Sequence, residues 1–229
     1  MVPPEVQLPA TSCTERAWRA ARVAFLNMKP RVAGPSSHRY PAELVEALKH
    51  RGRDLVLRPI RPEDAQQHHR FMSLERPEDL YFRFFAGVHE LPEADVVHFT
   101  HIDYDREMAF VAVQRNELGD EEIVGVARAC ADAEKVAEFA VIVRSDLKGQ
   151  GIGKLLMQKL IRYCRERGLR ELWGSILLEN VPMRHLAQAL GFKVRGTEGN
   201  VEEVVLELQL PRPSLVQIHS PTIRRPPVS

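Results

Sequence analysis

Two hydrophobic periods meet within residues 137–153, Ala-Glu-Phe-Ala-Val-Ile-Val-Arg-Ser-Asp-Leu-Lys-Gly-Gln-Gly-Ile-Gly, and the switch between them predicts strand, tight turn, helix. The run from Phe139 to Val143 is apolar, β-branched at Val141, Ile142 and Val143, and ends abruptly in polar turn residues. After the turn, Ile152, Leu155, Leu156, Leu160, Tyr163 and Cys164 recur at helical spacing, with Lys154, Lys159, Arg162, Arg165 and Glu166 on the other face. Gly168 supplies the stop.

The same reading predicts an alternating first strand at 54–60 and a helix opened by Pro62, with Glu63 and Asp64 where the helix dipole favours acids. Further helices are expected at 77–85 and 92–101. Strands at 108–113 and 123–130 are joined by Asn116-Glu-Leu-Gly-Asp120, a hairpin signal, and the strand at 136–143 follows. A strand at 171–178, a short helix at 183–190 and a last strand at 204–210 complete the pattern. Residues 1–38 are broken by Pro3, Pro4, Pro9, Pro30 and Pro35 and read as a flexible extension. Within it, 14–28 suits one short basic helix carrying Arg16, Arg19 and Arg22, either a targeting or partner-binding arm or a solvated extension. Residues 39–210 form the predicted domain, and the Pro-rich tail at 211–229 is expected to be disordered.

Composition narrows the class. With 229 residues, 44% hydrophobic and 28% charged, the chain is sized for one core and is too short for two large domains. A net charge of +1 argues against a general nucleic-acid binder. Cys13, Cys130 and Cys164 have no CxxC spacing and suit reduced thiols in a cytoplasm. No apolar run approaches a membrane span, and no secretory signal is visible, so no membrane partner is expected.

The candidate chemistry starts at Gly149, Gly151 and Gly153. Alternate glycines let the backbone bend and turn N–H groups outward at a helix N-terminus, which favours an anion such as a pyrophosphate. A P-loop needs one more residue than this spacing provides, and GxGxxG is absent. The alternative is a plain strand-to-helix turn.

Val-Ile-Val at 141–143 followed by Lys-Gly-Gln-Gly-Ile-Gly at 148–153 resembles the coenzyme A motif of the GNAT acetyltransferases, Q/R-x-x-G-x-G/A, with Lys148 in place of Gln or Arg. The order of elements across 40–210 also resembles the GNAT layout, an α/β fold with helices on both faces of a mixed, mostly antiparallel sheet. Arg58-Pro-Ile-Arg-Pro-Glu-Asp-Ala65 and the stretches 102–109 and 137–141 are similar to the acetyltransferase module of bacterial Pat-type protein lysine acetyltransferases. In many of those the module follows a large acyl-CoA synthetase-like region, which has no counterpart in this sequence. The resemblance implies acetyl-CoA as donor, with Val141, Ile142 and Val143 on the pantetheine arm. Lys148, Gly149, Gln150, Gly151, Ile152, Gly153 and Lys154 would surround the pyrophosphate, and Asn180 would contact the coenzyme from the other side. Asn180 is also well suited to cap the helix that follows, and both roles are compatible.

An acceptor lysine poses the remaining problem. Its pKa of about 10.4 leaves roughly one amine in 2,500 neutral at pH 7, a penalty of about 4.6 kcal/mol. Glu138 lies in an otherwise apolar strand at the position where Pat-type enzymes carry their general base, and burial would raise its pKa towards a useful range. The alternative is a residue on a solvated edge. A backbone N–H of Val141 or Ile142 would face the developing oxyanion. Ala187 occupies the position of the Tyr that serves many relatives as general acid, and Ser175 a second base position. Asp103, Tyr104 and Asp105, with Arg106, would either line the acceptor cleft or form a charged turn capping the next strand. Tyr81, Phe82, Phe84 and Phe85 read as core. The histidines show no ligand spacing with Cys or carboxylate, so no metal is expected. The expected activity is acetyl-CoA-dependent acetylation of protein lysines, with acyl-CoA synthetases as implied acceptors. Alternatives are a small-molecule amine acetyltransferase and a silent acyl-CoA-binding module.

Overall fold

The structure is a computed structural model that describes residues 39–85, 92–116 and 119–208. The basic helix expected at 14–28 and the Pro-rich tail lie outside the described residues. The strands are β1 (Glu46–His50), β2 (Arg53–Pro59), β3 (Glu107–Arg115), β4 (Glu121–Ala131), β5 (Val136–Val143), β6 (Glu171–Leu177), β7 (Lys193–Glu198) and β8 (Val201–Glu207). The α-helices are α1 (Ala65–Ser73), α2 (Pro77–Phe84), α3 (Glu93–Thr100), α4 (Ile152–Glu166) and α5 (Val181–Ala189). One sheet takes the order β1-β2-β3-β4-β5-β6-β8-β7, and only β5 and β6 pair in parallel.

Strand alternation divides the core between two faces. Phe110, Ala127, Phe139 and Leu172 meet the apolar stripe of α4, including Leu156 and Leu160. Val111, Val126 and Ile142 point the other way, onto Phe71, Phe84 and Phe99 from α1, α2 and α3. The Arg58-Pro-Ile-Arg-Pro-Glu-Asp stretch has its own logic. Arg58 forms a bidentate, buried pair with Asp64 at 2.6 and 2.7 Å, and Asp64 also accepts from Arg61 N–H at 2.9 Å.

Two strands are absent from the hydrophobic pattern. β1 packs only its alternate residues Glu46, Leu48 and His50 inward, and β7 is exposed throughout. The last strand starts at Val201, three residues before its continuous apolar run. The expected hairpin turn is closed by Asn116 N–H to Asp120 O at 2.9 Å.

The feature that makes a site is the separation of β5 from β6. They pair only from Val136 to Glu138 against Glu171 to Trp173. Beyond that, the Phe139 ring packs tilted against Phe192, with centroids 4.9 Å apart, and covers Gly174, where a Cβ would stand 2.7 Å from the ring. Only glycine admits the ring there, and the β5 edge from Ala140 to Val143 is left without a β6 partner.

Candidate active site

A cleft of about 480 Å³ opens at this separation. Residues 138–143 of β5 form one wall, Ser175, Ile176 and Asn180 the other, and the glycine turn closes one end. Lys148, Gly149, Gly151, Ile152, Gly153 and Lys154 all line it, whereas the Gln150 carbonyl points to His50. Gly149 and Gly151 have φ of 72° and 93°, values that glycine adopts without strain. Gly151 caps α4 without a side chain, and the N–H groups from Gly151 to Lys154 find no acceptor among the described residues. Four free donors at the positive end of a 15-residue helix fit an anion of phosphate type.

Asn180 caps the helix that follows it and stands in the cleft wall. Its Oδ1 accepts from Met183 N–H at 3.2 Å, capping α5, and the residue lines the cleft.

Glu138 shares a sheet face with Ala140 and Ile142 and enters the cleft near the end of the paired segment. Burial raises its carboxyl pKa, the Arg83 guanidinium opposes that shift, and Glu203 adds to it. Arg83 lines the same cleft and lies over the Phe84 ring at 5.0 Å. Burial, aided by Arg128, draws its pKa down to about 10. It makes no ion pair among the described residues.

Helix α2 supplies cleft residues that the hydrophobic pattern hid. Phe84 is core, as expected, but Phe82 and Phe85 line the cleft together with Arg76, Asp79 and Arg83. Positions 76, 79 and 83 share one helical face, and that polar stripe was the available signal. Asp79 pairs with Lys148 and accepts from Ser145 Oγ at 2.5 Å, while Ser145 Oγ also lies 2.8 Å from Glu75 Oε2.

The Asp103-Tyr104-Asp105 loop is not brought to the cleft. Asp103 Oδ1 accepts from the N–H groups of Asp105, Arg106 and Glu107 at 2.9 to 3.0 Å, so the carboxylate is consumed in capping β3. Asp105 pairs with Arg167, and Tyr104 donates to Ile60 O at 2.8 Å. These contacts place the loop beside the C-terminal end of α4, away from the glycine turn at its N-terminus. Among the described residues no group of three His, Cys, Asp or Glu side chains could hold a metal.

A β5 edge left free beside β6, a helix N-terminus with uncapped donors and a partly buried carboxylate thus share one cleft. The chain belongs to the GNAT acetyltransferase family, whose model matches residues 74–192. It is 33% identical to the acetyltransferase PA5475 of Pseudomonas aeruginosa over 160 residues, 69% of this chain and 86% of that protein. It is 27% identical to the acetyltransferase Pat of Mycolicibacterium smegmatis over 146 residues, 61% of this chain but 41% of the longer protein. The GNAT domain of S. lividans PAT superposes with a TM-score of 0.67 at 28% identity, covering 74% of this chain and all of that domain. Among the described residues no helix is long and apolar enough to cross a membrane.

Proposed function

We propose that this protein transfers acetyl from acetyl-CoA directly to lysine side chains of a protein acceptor, with Glu138 as general base. The observation that carries the reading is a partly buried carboxylate of raised pKa in the same cleft as a free strand edge and an uncapped helix N-terminus. The N–H groups of Gly151 to Lys154 hold the pyrophosphate, and the β5 edge at Val141 to Val143 receives the pantetheine arm. The acceptor reacts as its neutral amine, and Glu138 takes the one proton that the nitrogen loses as it attacks, directly or through one water. The amine nitrogen adds to the thioester carbon, the C=O pair moves onto the oxygen, where a β5 N–H donates to it, and its return breaks the carbon–sulfur bond. The CoA thiolate leaves and is protonated from water, so no side chain at Ala187 is required.

The likeness to Pat proteins supports a protein acceptor, and the acceptor class it implies is the acyl-CoA synthetases. The cleft charges do not add to that support. Arg76, Arg83, Lys148 and Lys154 outnumber Asp79 and Glu138, so the acid-lined cleft expected for a basic protein surface is not found. The free Cys130 and Cys164 fit a reducing cytoplasm as the place of action. Intact-mass analysis of an acyl-CoA synthetase incubated with acetyl-CoA and this protein tests the acceptor, the expected gain being about 42 Da per acetylated lysine. CoA release with small amines, but no mass gain on protein, would overturn the protein-acceptor reading.

A further inference from the structure

Strand β1, which the hydrophobic pattern does not reveal, lies along helix α4. Its inward residues fall at alternate positions, as a strand requires, and each touches a different part of α4 or its entrance. Glu46 pairs with Arg162 at 2.6 Å and with Lys159 at 3.1 Å. Leu48 packs against the core beneath the helix. His50 ends the row at the glycine turn, where its Nε2 lies 2.7 Å from the Gln150 carbonyl oxygen. A carbonyl only accepts, so His50 Nε2 carries the proton and donates it. The ring also closes over Gly151, with Cε1 3.6 Å from where a Cβ would stand.

A trans peptide sets its C=O and the next N–H in opposite directions. With the Gln150 oxygen held outward by His50, the Gly151 N–H is turned away from His50. Gly151 lines the cleft, and its N–H has no acceptor among the described residues. A two-glycine turn of positive φ is the kind of backbone in which a peptide can otherwise flip, placing an oxygen where an anion must bind. We propose that His50 is a cofactor-positioning residue, which holds the Gln150–Gly151 peptide so that the Gly151 N–H faces the donor's pyrophosphate. The inference rests on the reading of the glycine turn as the pyrophosphate cradle.

The test measures CoA affinity by calorimetry and donor kinetics for wild type, His50→Ala, His50→Phe and His50→Gln. Removing the donor with Ala or Phe is expected to weaken CoA about tenfold and to raise KM for acetyl-CoA with kcat unchanged, while Gln, which still donates, recovers most of the loss. Acetyl-pantetheine, which lacks the pyrophosphate, should be used equally by wild type and His50→Ala. Wild type that binds no CoA would sink the cradle reading itself. Wild-type-like CoA affinity in both His50→Ala and His50→Phe, or equal losses with acetyl-pantetheine, would overturn the role of His50 alone.

Discussion

Replacing Glu75 with Gln should make the protein more stable at pH 8 and much less so at pH 5. The reason is a proton count around Ser145. Its hydroxyl accepts from Arg76 N–H at 3.0 Å and lies within hydrogen-bond reach of both Glu75 and Asp79, yet it has one proton to give. One carboxyl must therefore bring its own. Asp79 is paired with Lys148, which helps hold its pKa low, so the proton sits on Glu75. Burial drives Glu75 from 4.5 to about 7, against the opposing effects of Ser145 and Lys148, with Asp79 adding to the rise. Its Oε1 is buried without a partner, which a neutral acid tolerates better than a carboxylate.

The sign follows from linkage. Between pH 4.5 and about 7 the folded chain keeps a proton that the unfolded chain has released, so stability falls as pH rises across that window and then levels off. At about 1.4 kcal/mol per pH unit the ceiling is about 3 kcal/mol, and coupling to Asp79 brings the expected value nearer 2. Gln is neutral at every pH, and its amide can still donate to Ser145. Thermal unfolding of both proteins at pH 5 and pH 8 should show the variant gaining about 4–8 °C at pH 8 and about a quarter of that at pH 5. A difference independent of pH, or a variant less stable than wild type at pH 8, would refute the proton count.

Two further substitutions test the geometry around the cleft. Gly174→Ala drives a Cβ against the Phe139 ring and should cost about 1–3 kcal/mol. Adding Phe139→Leu should recover part of that loss, and strict additivity in the double mutant by denaturant unfolding would count against the packing argument. Asp103→Ala removes the acceptor for three N–H groups and should cost about 1–2 kcal/mol while leaving kcat and KM for donor and acceptor at wild-type values. A folded variant with impaired acceptor KM would return the loop to the site.

The central strand–turn–helix was legible because its periods change abruptly and its glycines stand at fixed offsets. Asn180 was legible for the same reason, as a cap with its proline-started helix. β1 and β7 were not. An edge strand with one packed face, or none, carries no continuous apolar signal, and β1 gains its place from Glu46 reaching α4 and His50 reaching the glycine turn before it. The aromatic run of α2 read as core because its apolar residues outweighed the polar stripe at 76, 79 and 83, which was there to be read at helical spacing. Asp103 to Asp105 shows the opposite limit. Acids in a loop look the same to a sequence whether they face a ligand or the loop's own backbone.

The claim that Glu138 is the base is met most directly by the pH dependence of kcat/KM for the acceptor amine, measured by CoA release in wild type and Glu138→Gln. Availability of neutral amine alone gives a unit slope of log kcat/KM against pH below the amine's pKa. A base that must also be ionised steepens the slope below its own pKa, which burial raises from the ordinary carboxyl value. The account predicts that steeper limb in wild type, and in Glu138→Gln its disappearance with a loss of about 10²-fold on the unit-slope limb above it. A variant that keeps both the wild-type rate and the steep limb would contradict it.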